Sequence, residues 1–527
     1  MKLLSDTQYA EYLENGYVVL QIPELDGAFH AKMTEAAAAV HDESRAIGGD
    51  SGHLQVVGDN LRARIPATQE LLDCGIIDGA LTSVLGAEYV LHPHHFVHEA
   101  GNFDQGFHQD GNLPWNDRGH YRTHRPNWAM LFYYPQEVLE KSGPTEVLAG
   151  SQYWTVDFEQ GESEWRRGDR VDPNLDMEDL RQDNLKSRDD KLNGSLKTLN
   201  IKNLYRERLT VPAGSVVLAH YDLFHRGTRK SSDWDDRRFM YKFYFMRTQD
   251  PKVAAWDNLS DKPALSDRHE AIHGVVKRIW AWSRGENECE LEVQSDCVNR
   301  LKTSSGEDVR VKAAYEVGEA LRRGNLNHSV ADELLKDGKE SVRRAIAHGL
   351  GLSGEVIHSS LIKALKATDA RTRRVATFAA GEARSIETVE LLIEILENDS
   401  DDLARSNAAY ALGNIARSGA EINVERLLSI LMEEPDNTTN GNMTRSTVRE
   451  SILYAILQVS RNADIQASTL DRLAEIGLSD HDRYVRGLTF EVLAHYVESD
   501  CFWQTTLLKD LLASRFSERP KRSANLS

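Results

Sequence analysis

Two textures of apolar and polar positions divide the chain. Residues 4–20, LSDTQYAEYLENGYVVL, predict a capped helix followed by a strand: Ser5 caps, Leu4 and Tyr9 staple, and Gly16 ends the helix before Tyr17-Val18-Val19-Leu20. Helical spacing continues over 31–40. From residue 89 short β-type runs take over, at 89–98, 128–134, 145–148, 209–211, 216–219 and 239–246, separated by turn residues as in an all-β barrel or sandwich. Between them, 155–208 is long and charged and has no sustained apolar period, so a solvated loop is the default expectation and a lid over a site the sharper one. A polar stretch, 248–267, leads into a helix at 270–283 with Ile272, Val275, Val276, Ile279 and Trp280 at helical spacing.

From about residue 307 a different pattern recurs: a polar cap, Arg or Lys, then an Ala-rich apolar helix. Its anchors at 309, 342, 372, 404, 448 and 485 lie 30 to 44 residues apart, with second helices such as TVELLIEILEN and VERLLSILMEE between them. Paired helices at this spacing predict an α-solenoid of HEAT-like texture. Small Ala and Gly residues permit close helix approach, and the Asp-x-x-Arg texture suits ladders between neighbouring repeats. The repeated arginines are therefore expected in salt bridges rather than as an anion-binding stripe. The polar stretch 433–444 is expected to be a loop and the basic tail frayed.

At 527 residues the chain exceeds one ordinary core, and its formal charge of −19 disfavours general nucleic-acid binding. The four cysteines, Cys74, Cys289, Cys297 and Cys501, lack metal-ligand spacing and fit reduced thiols. No apolar run reaches signal-peptide or membrane-span length, so a soluble cytoplasmic protein is expected, with no membrane span.

The chemistry concentrates at Gly106-Phe-His-Gln-Asp110. His108 and Asp110 are two apart, so an extended strand sends both side chains to one face. An imidazole and a carboxylate there supply two of the three ligands of a mononuclear iron(II) site. His220 and His225, on the later segment GSVVLAHYDLFHRGT, are both candidates for the third. Arg237 and Arg238 follow; a guanidinium fork near a metal suits a dicarboxylate cosubstrate. His92, His94, His95 and His98 crowd one strand, and some are expected to line the pocket beside the metal rather than to form a second site.

Over residues 4–247 the chain resembles the phytanoyl-CoA dioxygenase-like, iron(II)- and 2-oxoglutarate-dependent oxygenases. The resemblance is carried by the opening segment, FHQD at 107–110, SGPTEVLAGSQ at 142–152, and AGSVVLAHYDLFHRGT with the later RR. It implies a double-stranded β-helix (a jelly roll, cupin-like), with His108, Asp110 and His225 as metal ligands and His220 at a non-ligand position. It further implies that Arg237 clamps the distal carboxylate of 2-oxoglutarate with Thr228 in support, Arg238 being the reserve choice on the opposite strand face. Gln109 and Phe132 fall at positions that border the cosubstrate. Ala149-Gly-Ser-Gln152 departs from the family's Pro-Gly-Ser-His, and Arg226 is an extra residue before Gly227-Thr228, which shifts the register to the arginines. The implied cofactors are Fe(II), 2-oxoglutarate and O2.

The whole reads as a multidomain α+β chain: an oxygenase domain at 1–255 with the insertion 155–208, a connector at 256–306, a HEAT-like solenoid at 307–515 and a tail at 516–527. The expected activity is hydroxylation of an unactivated C–H bond with decarboxylation of 2-oxoglutarate to succinate and CO2; desaturation and cyclisation are the other outcomes. Asp110 disfavours halogenation, because halogenating relatives carry a small residue there to make room for chloride. The substrate is expected to be a small or carrier-bound molecule, near a set drawn from Phe96, Trp115, Trp128, Phe132 and Tyr134. The solenoid is expected to recruit substrate or a protein partner, or to pack against its neighbour. A non-catalytic scaffold is the competing function, and a cupin-like isomerase or hydrolase a third.

Overall fold

The structure, a computed structural model, describes residues 1–46, 61–110, 123–155, 185–286, 291–351, 353–435, 447–480, 482–497 and 501–504. Trp115, Cys289, most of the stretch 433–444, the tail and residues 156–184 of the charged segment lie outside them. The described residues fall into two units, the first drawn from Met1–Gly111, Arg122–Leu326 and Asp337–Gly349, the second from Asn327–Lys336 and Leu350–Ser527. Among the described residues no helix is long and apolar enough to cross a membrane.

The first unit opens with α1 (Asp6–Asn15), whose cap is a full capping box between Ser5 and Gln8. Gly16 ends it at φ +84°, in the left-handed region where glycine carries no Cβ penalty. That turn sends the chain into β1 (Tyr17–Gln21), the edge of a five-stranded antiparallel sheet. Its order is β1-β6-β3-β8-β2, the others being β2 (Val90–Glu99), β3 (Trp128–Tyr134), β6 (Ser215–His220) and β8 (Phe239–Met246). A three-stranded sheet, β5-β4-β7, is built from β4 (Thr145–Ala149), β5 (Tyr205–Arg208) and β7 (His225–Gly227). The strands expected at 89–98, 128–134, 145–148, 216–219 and 239–246 all form, within a residue at each end. The run 209–211 instead contributes only an isolated bridge, Val138 to Val211.

Period-two alternation decides what each sheet face does. Phe132 lies opposite Lys242, and Tyr133 opposite Tyr241. The odd face of these strands meets α2 (Gly27–Ala46): Tyr133 Oη lies 2.8 Å from His30 Nδ1 and Tyr241 Oη donates to the Met33 carbonyl at 2.6 Å. The even face turns to the smaller sheet, where Tyr134 Oη donates to Thr145 Oγ1 at 2.9 Å. The two sheets thus enclose a lined interior, as a jelly roll does.

The charged segment is not wholly a solvated loop. Its described part forms a helix, α3 (Leu185–Leu196), and β5. Leu192, Leu196 and Leu199 pack with Phe107, Leu148, Trp154 and Phe224. Leu192 and Leu196 on one face of the helix, with Leu199 in the turn that follows, are enough to dock an otherwise polar segment. They brace Phe107, the residue before His108.

Helices of the repeat pattern begin inside the first unit. Glu307 opens α4 (Glu307–Arg322) and accepts hydrogen bonds from the backbone N–H and hydroxyl of Thr155. His348 of α5 (Glu340–Leu350) stacks on His124, ring centroids 3.5 Å apart, and Tyr315 Oη lies 3.1 Å from His124 Nδ1. The start of the pattern at 307 therefore does not coincide with the boundary between the units.

In the second unit the helices alternate as the sequence predicts: α6 (His358–Leu365), α7 (Ala370–Glu382), α8 (Val389–Asn398), α9 (Asp402–Ala416), α10 (Val424–Glu433), α11 (Thr447–Ser460), α12 (Ala467–Gly477) and α13 (Arg483–Ala494). The arginine near the start of each Ala-rich helix has one recurring job. Arg373, Arg405, Arg449 and Arg486 donate to carbonyls of Ala367, Leu396, Leu431 and Asp480; those of Leu396 and Leu431 are in the last turn of the preceding helix, those of Ala367 and Asp480 in the segment just after it. Arg373, Arg405 and Arg449 also pair with Asp399, Glu434 and Asp480. The arginines form a ladder, as expected, and not an anion stripe. Close packing is set by small residues: a Cβ on Gly413 would fall 2.8 Å from the Tyr454 ring.

Candidate metal centre

The stretch 106–108 joins the free edge of β7. His108 N–H donates to the His225 carbonyl and His225 N–H to the His108 carbonyl, each at 3.0 Å, the reciprocal pair of an antiparallel bridge. This pairing sets the two imidazoles side by side with ring centroids 4.8 Å apart. Each ring is oriented in the same way. His108 Nδ1 lies 2.9 Å from the Gly106 carbonyl and His225 Nδ1 lies 3.0 Å from the Leu223 carbonyl. A carbonyl only accepts, so each Nδ1 carries the hydrogen and each Nε2 keeps its lone pair.

Asp110 completes the cluster. Its Oδ1 lies 3.9 Å from His108 Nε2 and 3.6 Å from His225 Nε2. Its Oδ2 accepts from Tyr244 Oη at 2.9 Å and faces Lys242 Nζ at 2.5 Å, while its backbone carbonyl accepts from Tyr221 Oη at 2.9 Å. The candidate ligand atoms of His108, Asp110 and His225 all lie within 4.8 Å of one another, the one such group of three among the described residues. Two imidazole lone pairs and one carboxylate oxygen, converging on one point with Asp110 and His225 buried and His108 half-buried, fit a divalent metal of the 2-His-1-carboxylate type.

The electrostatics agree with that chemistry. Burial alone would raise the Asp110 carboxyl, but Lys242, His225 and His108 outweigh it and hold the group well below the usual carboxylate range. Burial, helped by Lys242, lowers His225 to about 3, so its ring is neutral at physiological pH. An ionised carboxylate and a neutral imidazole are the forms that bind metal.

The other expected residues separate into two groups. Arg238 is buried on the inner face of β8, its Nε donating to the Ser142 carbonyl at 3.1 Å and its Nη2 to that of Gly143. Thr228 Oγ1 donates to the next carbonyl, Pro144, at 2.6 Å. Both therefore converge on one turn, and among the described residues no carboxylate pairs with Arg238. Phe132 lies against His225, ring centroids 5.7 Å apart. Arg237, the first choice for the cosubstrate clamp, points elsewhere: its Nε is 2.8 Å from Glu99 Oε1 and its Nη1 is 2.9 Å from Asp42. The reason is strand parity. Arg238, Met240, Lys242 and Tyr244 share the inner face, and Arg237 takes the outer one. Gln109 likewise alternates away, its Nε2 donating to the Asp222 carbonyl at 2.6 Å. His220 lies beside Tyr12 instead, ring centroids 6.3 Å apart.

His94 and Phe96 stand on the same inner face, with ring centroids 5.2 Å and 6.2 Å from Tyr244. Lys242, Tyr244 and Tyr221 are the residues that sequence reasoning passed over. A signal for Lys242 was present, since it is the lone charge inside the apolar strand Phe239–Met246.

Residues 12–239 match the family model of phytanoyl-CoA dioxygenase, and residues 358–446 match that of HEAT repeats. No curated protein matches the chain. Among solved structures, the epimerase SnoN in complex with Fe3+, alpha ketoglutarate and nogalamycin RO is similar at 15% identity and TM-score 0.32, over 46% of this chain and 83% of that one. EctD from S. alaskensis with 2-oxoglutarate and 5-hydroxyectoine is similar at 15% identity and TM-score 0.32, over 46% of this chain and 77% of that one. HygX from Streptomyces hygroscopicus with nickel and 2-oxoglutarate is similar at 13% identity and TM-score 0.30, over 47% of this chain and 88% of that one. The chain thus carries a phytanoyl-CoA dioxygenase-family domain, matched at residues 12–239, followed by HEAT repeats.

Proposed function

We propose that the amino-terminal domain is an iron(II)- and 2-oxoglutarate-dependent dioxygenase that hydroxylates a C–H bond of a small or carrier-bound substrate. The observation that carries this reading is the convergence of His108 Nε2, Asp110 Oδ1 and His225 Nε2 on one point. Iron(II) held there with 2-oxoglutarate supplies oxygen activation, yielding succinate and CO2 alongside the oxidised product.

The chain's own residues do the rest. The carbonyls of Gly106 and Leu223 fix the two histidine tautomers. Tyr244 and Lys242 hold Oδ2 of Asp110, which leaves Oδ1 directed at the histidines. Arg238, a buried guanidinium bonded to two backbone carbonyls and, among the described residues, to no carboxylate, takes the distal carboxylate of 2-oxoglutarate, with Thr228 on the same turn. Retention of Asp110 favours hydroxylation over halogenation, because its carboxylate fills the place a halide would need. Phe96 and Phe132 exclude water from the reacting side. The repeats of the second unit recruit the substrate carrier or a protein partner.

The test is succinate release from 2-oxoglutarate by iron-loaded protein. Arg238→Ala is expected to abolish turnover at moderate cosubstrate concentration and Arg237→Ala to leave it near wild type. The reverse pattern would overturn the assignment of the clamp. Absence of succinate, with and without candidate substrates, would overturn the oxygenase reading.

A further inference from the structure

The structure puts a cation where a metal centre wants none. Lys242 lies mid-strand in β8, 3% exposed, and its ammonium is 2.5 Å from Asp110 Oδ2 and 3.0 Å from His225 Nε2. Its walls are aromatic: Nζ is 5.0 Å from the Phe132 ring centre, 5.5 Å from Tyr244 and 5.9 Å from Phe96. An ammonium buried among rings is held there only by its charged and hydrogen-bonded partners. Those partners are two of the three candidate metal ligands.

The two contacts differ in what they leave free. Asp110 has two oxygens and divides them, Oδ2 toward Lys242 and Tyr244, Oδ1 toward the histidines. Its hold on Lys242 is therefore compatible with binding a metal through Oδ1. His225 has no such spare atom. With Nδ1–H committed to the Leu223 carbonyl, Nε2 offers one lone pair, and the Lys242 ammonium now takes it. That lone pair serves either an N–H donor or a metal.

We propose that Lys242 sets the metal affinity of this centre: a divalent cation binds only by displacing the ammonium from His225 Nε2, and then binds beside a retained positive charge. The inference rests on the metal-centre reading above and goes beyond it, because it assigns the chain an internal competitor for its own site. Lys242 is thus a positioning residue for Asp110 and at the same time an antagonist of the metal. A merely structural role for Lys242 predicts that its loss loosens Asp110 and weakens binding. Displacement predicts the opposite sign.

The experiment is an anaerobic calorimetric titration of the full chain with Co(II), with the visible d–d absorption of the bound ion as a second readout. Lys242→Met, which keeps the stem and removes the charge, is expected to bind Co(II) at least about tenfold more tightly than wild type, since a like charge a few ångströms away is removed. Lys242→Gln, which keeps an N–H donor for Oδ2, is expected to shift affinity in the same direction and serves if the methionine variant does not fold. Equal or weaker binding by the folded variants, in a protein whose Co(II) site is lost in Asp110→Ala, overturns this inference alone. Absence of a Co(II) site that Asp110→Ala abolishes, in wild type and in the Lys242 variants alike, overturns both the inference and the metal-centre reading.

Discussion

The two units use the same charged residue types to opposite ends. In the second unit each arginine of the ladder is spent on its neighbours: Arg373 on Asp399, Arg405 on Glu434 and Arg449 on Asp480, each also donating to a backbone carbonyl at or just beyond the end of the preceding helix. Charge there is a fastening, repeated because the helices repeat. In the first unit Arg238, just before β8, is bonded among the described residues to backbone carbonyls and lies 5.9 Å from the Tyr134 ring centre, and Lys242 is set against His225 and Asp110. Charge there is left incompletely neutralised by protein. Among the described residues Arg238 has no carboxylate of its own; a buried cation of that kind is costly and persists where a ligand completes it. The contrast separates structural from functional charge without reference to any relative.

The comparison can be broken most sharply at Asp110. Asp110→Ala should remove metal binding and 2-oxoglutarate turnover to background while leaving the helical unit intact by circular dichroism. In the other unit, Arg449→Ala should cost about 3–5 kcal/mol, because it strands Asp480 in a buried place, and should leave metal binding unchanged; chemical denaturation measures the first and calorimetry the second. Arg238→Ala should weaken 2-oxoglutarate binding by about a hundredfold, the worth of charge-assisted bonds to a buried guanidinium, against a change within about threefold for Arg237→Ala. A similar loss in both variants would erase the distinction between the two arginines.

pH dependence also separates the units, by its window rather than its sign: acid destabilises both, the first unit from a higher pH than the second. In the first, burial lowers His41 and His269 to about 4 and holds His124 and His348 well below the ordinary histidine value. These rings are neutral in the fold and take up protons on unfolding, so their contribution is complete above about pH 6.5 and falls by up to about 1.4 kcal/mol per pH unit for each ring as acid is added. In the second, Arg426 holds Glu397 low, while at Asp401 the pairing with Arg374 and the bond from Ala404 N–H outweigh burial. Their contribution is present above about pH 4 and is lost only below it. Peptide-resolved hydrogen exchange at pH 7.5 and 5.0, corrected for intrinsic rates, should show the first unit loosening while the second holds.

Much of this was legible in the chain. Short β-type runs bounded by turn residues located six of the strands, β1 included, and the 30-to-44-residue recurrence located the paired helices. His108 and Asp110 were legible because they are two apart on one extended segment. His225 required the family resemblance, since only the bridge between 108 and 225 brings it alongside. Residues 185–196 were hidden because three leucines in a polar helix do not make a sustained period. The two arginines part at a single step of parity, Arg237 toward Glu99 and Asp42 and Arg238 toward the interior. The extra residue Arg226 shifted the register, and only the pairing of Phe132 with Lys242 restores it. Lys242 was visible as a lone charge in an apolar strand, but its partners lie across the interior.

The central claim is that His108, Asp110 and His225 hold iron(II) with 2-oxoglutarate beside it. Its most direct test is to add 2-oxoglutarate to anaerobic, iron(II)-loaded protein and follow the weak visible metal-to-ligand charge-transfer absorption. The account predicts a band in wild type and in His220→Ala, none in Asp110→Ala, and a higher 2-oxoglutarate requirement in Arg238→Ala. A metal-replete wild-type protein that develops no band would contradict it and leave the helical repeats as the functional half.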